Sequence, residues 1–274
     1  MSFLADLATL IPKKLFEYLL VIINAPLLPL LELIKKLLSE PVNISPFSSL
    51  WSVMIYVISL FYGLLLLYSG FNFIISGHDA AKRENAKTWL RNIIIMVVLV
   101  QASFFLYAAV LEISSLLTIS VLDIVNQNFF LLTVDNLANF GLELLFGIVY
   151  VAMLLLTVIL LTVRYLIVSV GVVFVPIAIF LYFIPPLKSY GRLIINFLGV
   201  CIFTTFFDAV IILASSKLVE IPLYANFKIL LMISAFLLIN LLMFYFMFFA
   251  AIKSALGTTR SIIGNVKMIK SLFG

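Results

Sequence analysis

Between Gly141 and Ile184 the chain carries only two charged side chains, Glu143 and Arg164. A helical crossing of the hydrocarbon core takes ~20 apolar residues. A run this long exceeds one crossing, and similar runs fill most of the sequence. With 65% hydrophobic and 11% charged residues, a soluble core cannot accommodate it. The expected fold is all-α, a polytopic transmembrane helical bundle. A membrane barrel would show ~10-residue alternating segments separated by turns, and these are missing.

Six apolar runs stand out: Leu50–Ile75, Asn92–Leu117, Gly141–Val163, Tyr165–Ile184, Gly191–Lys217 and Phe227–Ile252. The chain therefore reads as a single integral membrane domain, 1–274, with about six membrane helices. Residues 1–49 supply an interfacial helix and linker, 50–117 a helical hairpin, and 118–140 an extracytoplasmic connection. Residues 141–252 supply the remaining membrane helices and 253–274 a basic amphipathic tail. The opening residues place no cation ahead of their apolar stretch, so no cleavable signal peptide is expected.

Residues 15–39 are interrupted by Glu17, Asn24, Pro26, Pro29, Glu32, Lys35 and Lys36. The polar residues fall near one side and the prolines should kink the helix, which suits a broken amphipathic helix lying in the interface. In the hairpin, Gly63 and Gly70 repeat at the same spacing as Ala102 and Ala109, which predicts close backbone approach. Trp51 and Trp89 sit where interfacial anchors are expected. Cys201, the one cysteine, lies in an apolar run and excludes a disulfide framework within one chain.

Charge gives the orientation. Lys82, Arg83, Lys87 and Arg91 cluster between the first two runs, whereas 118–140 holds no Lys or Arg. The positive-inside rule then places the first cluster in the cytoplasm and the second connection outside. Asn43-Ile44-Ser45, a glycosylation sequon followed by Pro46, falls outside with it. Past residue 140 the rule and the lengths conflict. Two crossings over 141–184 put Lys188, Arg192 and the tail outside, while one or three bring them in. A tilted helix followed by a short re-entrant piece at Gly171–Pro176 would reconcile the two.

Catalytic constellations are lacking. His78 is the single histidine and no P-loop sequence occurs, so no enzyme activity, cofactor or metal is expected. Four charged residues lie in or beside the runs: Glu112, Glu143, Arg164 and Asp208. Glu112, Glu143 and Arg164 can reach the interface from helix ends. Asp208 sits mid-run, where an acid either ties to a cation such as Arg164 or lines a polar route.

Asp79 can cap the second hairpin helix. Arg83, Lys87 and Arg91 recur every four residues and make one cationic stripe. The stripe serves either as a topology signal in contact with anionic headgroups or as a docking face for an acidic partner or nucleic-acid backbone. In the tail, Arg260, Lys267 and Lys270 share one side and Ile262, Val266, Ile269 and Phe273 another.

The hairpin, with its Arg83, Ala86 and Lys87 pattern between two apolar helices, resembles the small two-helix TrbC-type proteins of type IV secretion. The stretch with Arg164, Pro176-Ile177-Ala178 and a proline-marked loop at Pro185 and Pro186 is similar to the TrbL-like polytopic inner-membrane channel family. Within that superfamily the short length and Ile/Leu/Phe-rich spans look most like the CedA family, the membrane component of the archaeal Ced DNA-import system. A large extracytoplasmic region, frequent in bacterial relatives, is absent.

The resemblance implies a homo-oligomeric, membrane-embedded conduit or scaffold subunit of a DNA-transfer machine in the cell membrane. It implies as partners small two-helix membrane subunits, a separate hexameric HerA/VirB-type ATPase, membrane lipid, and DNA as the transported substrate. In that reading Arg83, Lys87 and Arg91 face the ATPase or DNA. Arg164 and Asp208 form a polar pathway or pair, and Gly171, Pro176, Pro185 and Pro186 are break or gate points. The rival is a secondary transporter or small-solute permease, which also uses broken helices and a midplane acid.

Overall fold

The computed structural model describes residues 2–130, 140–225 and 227–249. Helices make up the fold, and no strand occurs among the described residues. They are α1 (Ser2–Ser39), α2 (Ser48–Ile75), α3 (Ala80–Leu122), α4 (Phe140–Phe183), α5 (Lys188–Val219), the short α6 (Pro222–Ala225) and α7 (Lys228–Phe244). A π-turn at Tyr245–Phe249 continues α7. The basic tail, with Arg260, Lys267 and Lys270, lies outside the described residues.

Among the described residues five helices are long and apolar enough to cross a membrane, where the sequence shows six apolar runs. The difference lies in α4. Residues expected to form two crossings, with a re-entrant break at Gly171–Pro176, form one helix of 44 residues with Pro176 inside it. Proline removes one backbone donor, here the bond to the Val172 carbonyl. Val172, Val173 and Ala178 around it are buried, so packing holds the turn that the missing bond would loosen. Pro185 and Pro186 do end the helix: they open the short turn Pro185–Leu187 before α5.

At 1.5 Å per residue α4 is roughly 66 Å long. A helix tilted by ~40°, the extreme of the usual range, needs only roughly 39 Å to cross ~30 Å of hydrocarbon. About 25 Å of α4 therefore extends beyond the core. α3, with 43 residues, does the same.

The N-terminal helix also differs from expectation. α1 is a single helix through Pro26 and Pro29, with Leu27 buried between them and Ile34 and Leu38 buried beyond. The connection after α3 starts later than residue 118, because α3 runs to Leu122.

The chain divides into two compact units. One comprises Met1–Glu40, Ser114–Arg164 and Thr204–Tyr245, the other Pro41–Ile113, Tyr165–Phe203 and Phe246–Gly274. Helices α3, α4 and α5 contribute residues to both, so neither unit is a segment on a linker.

The second unit is built around the α2–α3 hairpin. Its turn is shorter than the interval 76–91 between the first two apolar runs, spanning Ser76–Asp79 before α3 starts at Ala80. Ile58 of α2 packs with Ile93, Met96 and Val100 of α3, flanked by Ile55, Tyr62, Leu65 and Trp89. These positions alternate by three and four along each helix, the spacing of a coiled-coil seam. Trp51 donates its indole N–H to Ser103 Oγ at 2.9 Å and its ring tilts against Phe104. Tyr68 meets Trp89 edge-on. Both tryptophans thus serve the hairpin contact.

The glycines do not. Gly63 and Gly70 have nothing within 4 Å of where a Cβ would stand. They sit one residue past Tyr62 and Ser69, on the seam's outer flank. The expected small-residue contact is not made, and Tyr62, one position before Gly63, packs on the seam instead.

Further along this unit the Tyr107 hydroxyl donates to the Val168 carbonyl at 2.7 Å. The Asn43 N–H donates to the Tyr165 hydroxyl at 3.1 Å.

The first unit is tied by polar groups between apolar helices. Ser115 Oγ donates to the Ser39 carbonyl, joining α3 to α1. Thr118 and Thr205 hydroxyls meet at 3.5 Å between α3 and α5. Thr157 Oγ1 donates to Asn240 Oδ1 at 2.9 Å, and Asn240 Nδ2 donates to the Met153 carbonyl at 3.2 Å. Interhelical bonds of this kind contribute ~0.6–2 kcal/mol each in lipid. Phe236 of α7 packs on Phe130 and Tyr150.

Candidate functional site

Two features carry charge in places that apolar packing does not explain, one in each unit. The first is the start of α3. Asp79 is extended and precedes the helix. Its Oδ1 accepts from the backbone N–H groups of Ala81 at 2.9 Å and Lys82 at 3.3 Å. That is the N-cap expected from the sequence, and it satisfies donors that a helix start otherwise leaves free. Asp79→Ala should lower stability by about 1 kcal/mol, read as a drop of a few degrees in the melting temperature of the detergent-solubilised protein, with Asp79→Asn close to wild type.

With the helix starting at Ala80, Arg83, Lys87 and Arg91 belong to its first turns and not to a loop. All three are exposed. The Arg83 guanidinium lies 5.8 Å from the centre of the Phe73 ring of α2, over its face. Lys82 is paired with Asp79 at 3.6 Å. The stripe is therefore carried on a helix fixed at its cap and along the α2 seam.

The second feature is two buried residues of opposite charge in the first unit. Arg164 of α4 is 3% exposed and Asp208 of α5 is fully buried. Arg164 is thus far from the helix end that would let it reach the interface. Both charges are buried in the same unit of the fold. Yet neither carboxylate oxygen has a hydrogen-bond partner among the described residues. A buried acid with both oxygens unsatisfied is uncommon and calls for a physical explanation. Glu112 is exposed, and the Glu143 and His78 side chains lie outside the described residues.

Of the residues expected as breaks, Pro185 and Pro186 follow the end of α4, while Gly171 and Pro176 lie buried within it. Gly171 is where α3 and α5 side chains press on α4: a Cβ there would stand 2.6 Å from both the Tyr107 hydroxyl and Leu198 Cδ2. Pro176 is buried inside the helix. Gly191 permits a close approach of α5 to α4, since a Cβ there would stand 2.5 Å from the Ala178 carbonyl oxygen. The Thr157–Asn240 pair was not anticipated, although an asparagine inside the apolar run 227–252 was the available signal.

Neither a curated protein nor a solved structure matches the chain. The profile of the family described as TrbL/VirB6 plasmid conjugal transfer like protein matches residues 16–265, nearly the whole sequence. With five membrane-crossing helices, the chain belongs to the TrbL/VirB6-like family as a multi-pass membrane component of conjugal-transfer machinery.

Proposed function

We propose that the protein is a conduit or scaffold subunit through which a DNA-transfer machine imports DNA, driven by a separate ATPase. The observation that carries this reading is the exposed stripe of Arg83, Lys87 and Arg91 on a capped, seam-packed helix end. A row of cations on a rigid element suits the acidic face of an ATPase or a phosphate backbone, both of which are recognised by positioned positive charge. No catalytic group is needed from this chain, so the energy comes from its partner, a hexameric HerA/VirB-type ATPase. Small two-helix membrane subunits and further copies of the chain complete the assembly.

Five crossings also favour one orientation. A single helix over 140–183 puts the turns at Ser76–Asp79 and Pro185–Leu187 on one side, with Lys188 and Arg192 beside the stripe. The cation-free residues after α3 then face the other side, as does the α5–α7 connection. The positive-inside rule makes the first side cytoplasmic and sends the basic tail there too, which removes the conflict in the sequence. The permease alternative drew on a helix broken near its middle, and α4 runs unbroken through Gly171 and Pro176.

The test is Arg83→Glu, Lys87→Glu and Arg91→Glu in one chain, assayed by DNA exchange between marked strains. At unchanged membrane levels of the protein, exchange should fall at least tenfold when the variant is in the recipient and stay unchanged when it is in the donor. Wild-type exchange by the variant recipient would remove the docking role.

A further inference from the structure

The first unit contains a recess of about 360 Å³ between α1 and the ends of α3 and α5. Its wall is apolar, formed by Leu31, Ile34 and Leu38 of α1, Phe130 after α3, and Ile212 of α5. The volume falls within the ~300–1,000 Å³ of small-ligand sites. The apolar inner wall offers water few hydrogen-bond partners, whereas it offers a hydrocarbon chain continuous contact. In a membrane protein the available filler for such a space is a hydrocarbon chain.

Three charged side chains also line the recess: Glu32 and Lys35 from α1, and Asp123 from just beyond α3. All are exposed. None has an ion-pair partner within 4.0 Å among the described residues, where the pairs are Lys36–Glu40, Lys82–Asp79 and Lys217–Glu220. Two carboxylates and one ammonium around an apolar recess make an amphiphilic site with an excess of negative charge.

We propose that this recess binds one membrane lipid by a single chain, and that the lipid headgroup carries an ammonium together with a phosphate. Glu32 and Asp123 hold the ammonium and Lys35 holds the phosphate. The chain lies against Leu31, Phe130 and Ile212. Charge complementarity selects this class over an anionic lipid without an amine, which would present phosphate to two carboxylates. Because Glu32 and Lys35 lie three residues apart on α1 and Asp123 follows α3, the bound lipid also fastens α1 to the rest of the unit. Nothing in this inference depends on DNA transfer.

The full chain, purified and stripped of lipid in detergent, is titrated with dioleoylphosphatidylethanolamine and, separately, with dioleoylphosphatidylglycerol. Binding is read by native mass spectrometry and by the shift in melting temperature. The expected result is one retained phosphatidylethanolamine, bound at least tenfold tighter than phosphatidylglycerol. Glu32→Gln with Asp123→Asn, both exposed and compatible with folding, should abolish that preference. Leu31→Trp should fill the recess and remove the retained lipid, with its lipid-free melting temperature reporting whether the variant is folded. Equal binding of the two lipids, or a preference that survives the double substitution, overturns the proposal. So does a retained lipid in folded Leu31→Trp.

Discussion

Asp208→Ala is expected to remove most of the folded protein from the membrane. The substitution removes a buried acid from a unit that also buries the Arg164 cation, itself only 3% exposed. Removing one of two opposite buried charges costs about 3–5 kcal/mol where the charge that stays is left uncompensated, a large part of the ~5–15 kcal/mol that holds a typical fold together. Arg164→Met should do comparable damage by isolating the acid. The double variant, Arg164→Met with Asp208→Leu, is expected to recover stability, because well-packed apolar groups replace buried ion pairs at little cost or with a gain. Melting temperature and membrane abundance of the three variants check this, and a double variant as unstable as the singles would sink the argument.

DNA exchange in the double variant asks a separate question. We expect exchange to stay at least tenfold below wild type even with stability restored. A carboxylate whose oxygens lack hydrogen-bond partners is poor as a tie, since its desolvation is not fully offset. It suits a group that changes partners while the machine works, and intramembrane acids are more often functional than structural. Full recovery of exchange would reduce the pair to a fastening between α4 and α5.

What the sequence could and could not convey follows from how local each signal is. The Asp79 cap is legible because it depends on a side chain and the two N–H groups that follow it within three residues. Membrane location is legible because it needs only composition and run length. The number of crossings is harder, since hydropathy records how many apolar residues follow one another, not whether the helix breaks among them. Pro176 and Pro185 carry the same residue type; buried neighbours hold the first within α4, while a consecutive proline helps the second open a turn. The hairpin seam was readable in principle. Trp89, Ile93, Met96, Val100, Ser103 and Tyr107 alternate by four and three, but Gly63 and Gly70 share the same seven-residue period and drew attention to the wrong face. The burial of Arg164 and Asp208 in one unit, and the joining of Thr157 to Asn240 and Thr118 to Thr205, depend on which helices lie side by side, which no spacing within one chain segment records.

Gly191→Val is expected to be at least as damaging as the loss of Asp208, through geometry alone. Gly191 is buried in the first turn of α5, facing the last turns of α4. A Cβ placed there would stand 2.5 Å from the Ala178 carbonyl oxygen and 2.8 Å from Tyr182 Cα, with the Tyr182 backbone nitrogen closer still. These are backbone atoms of a packed helix, so no side-chain rotation relieves the clash. The short Pro185–Leu187 turn leaves α5 little freedom to move away. Overpacking typically costs about 1–3 kcal/mol and more where the surroundings cannot shift, so Gly191→Ala should already lower the melting temperature and Gly191→Val should leave little folded protein. Gly63→Ala is the contrasting control: its Cβ meets nothing within 4 Å, and alanine gains up to ~1 kcal/mol over glycine in a helix interior. It should be neutral or stabilising on the same assay. If Gly191→Val instead melted like wild type, the close approach of α4 and α5 would be wrong, and the single turn that sets the five-crossing orientation would be open to revision with it.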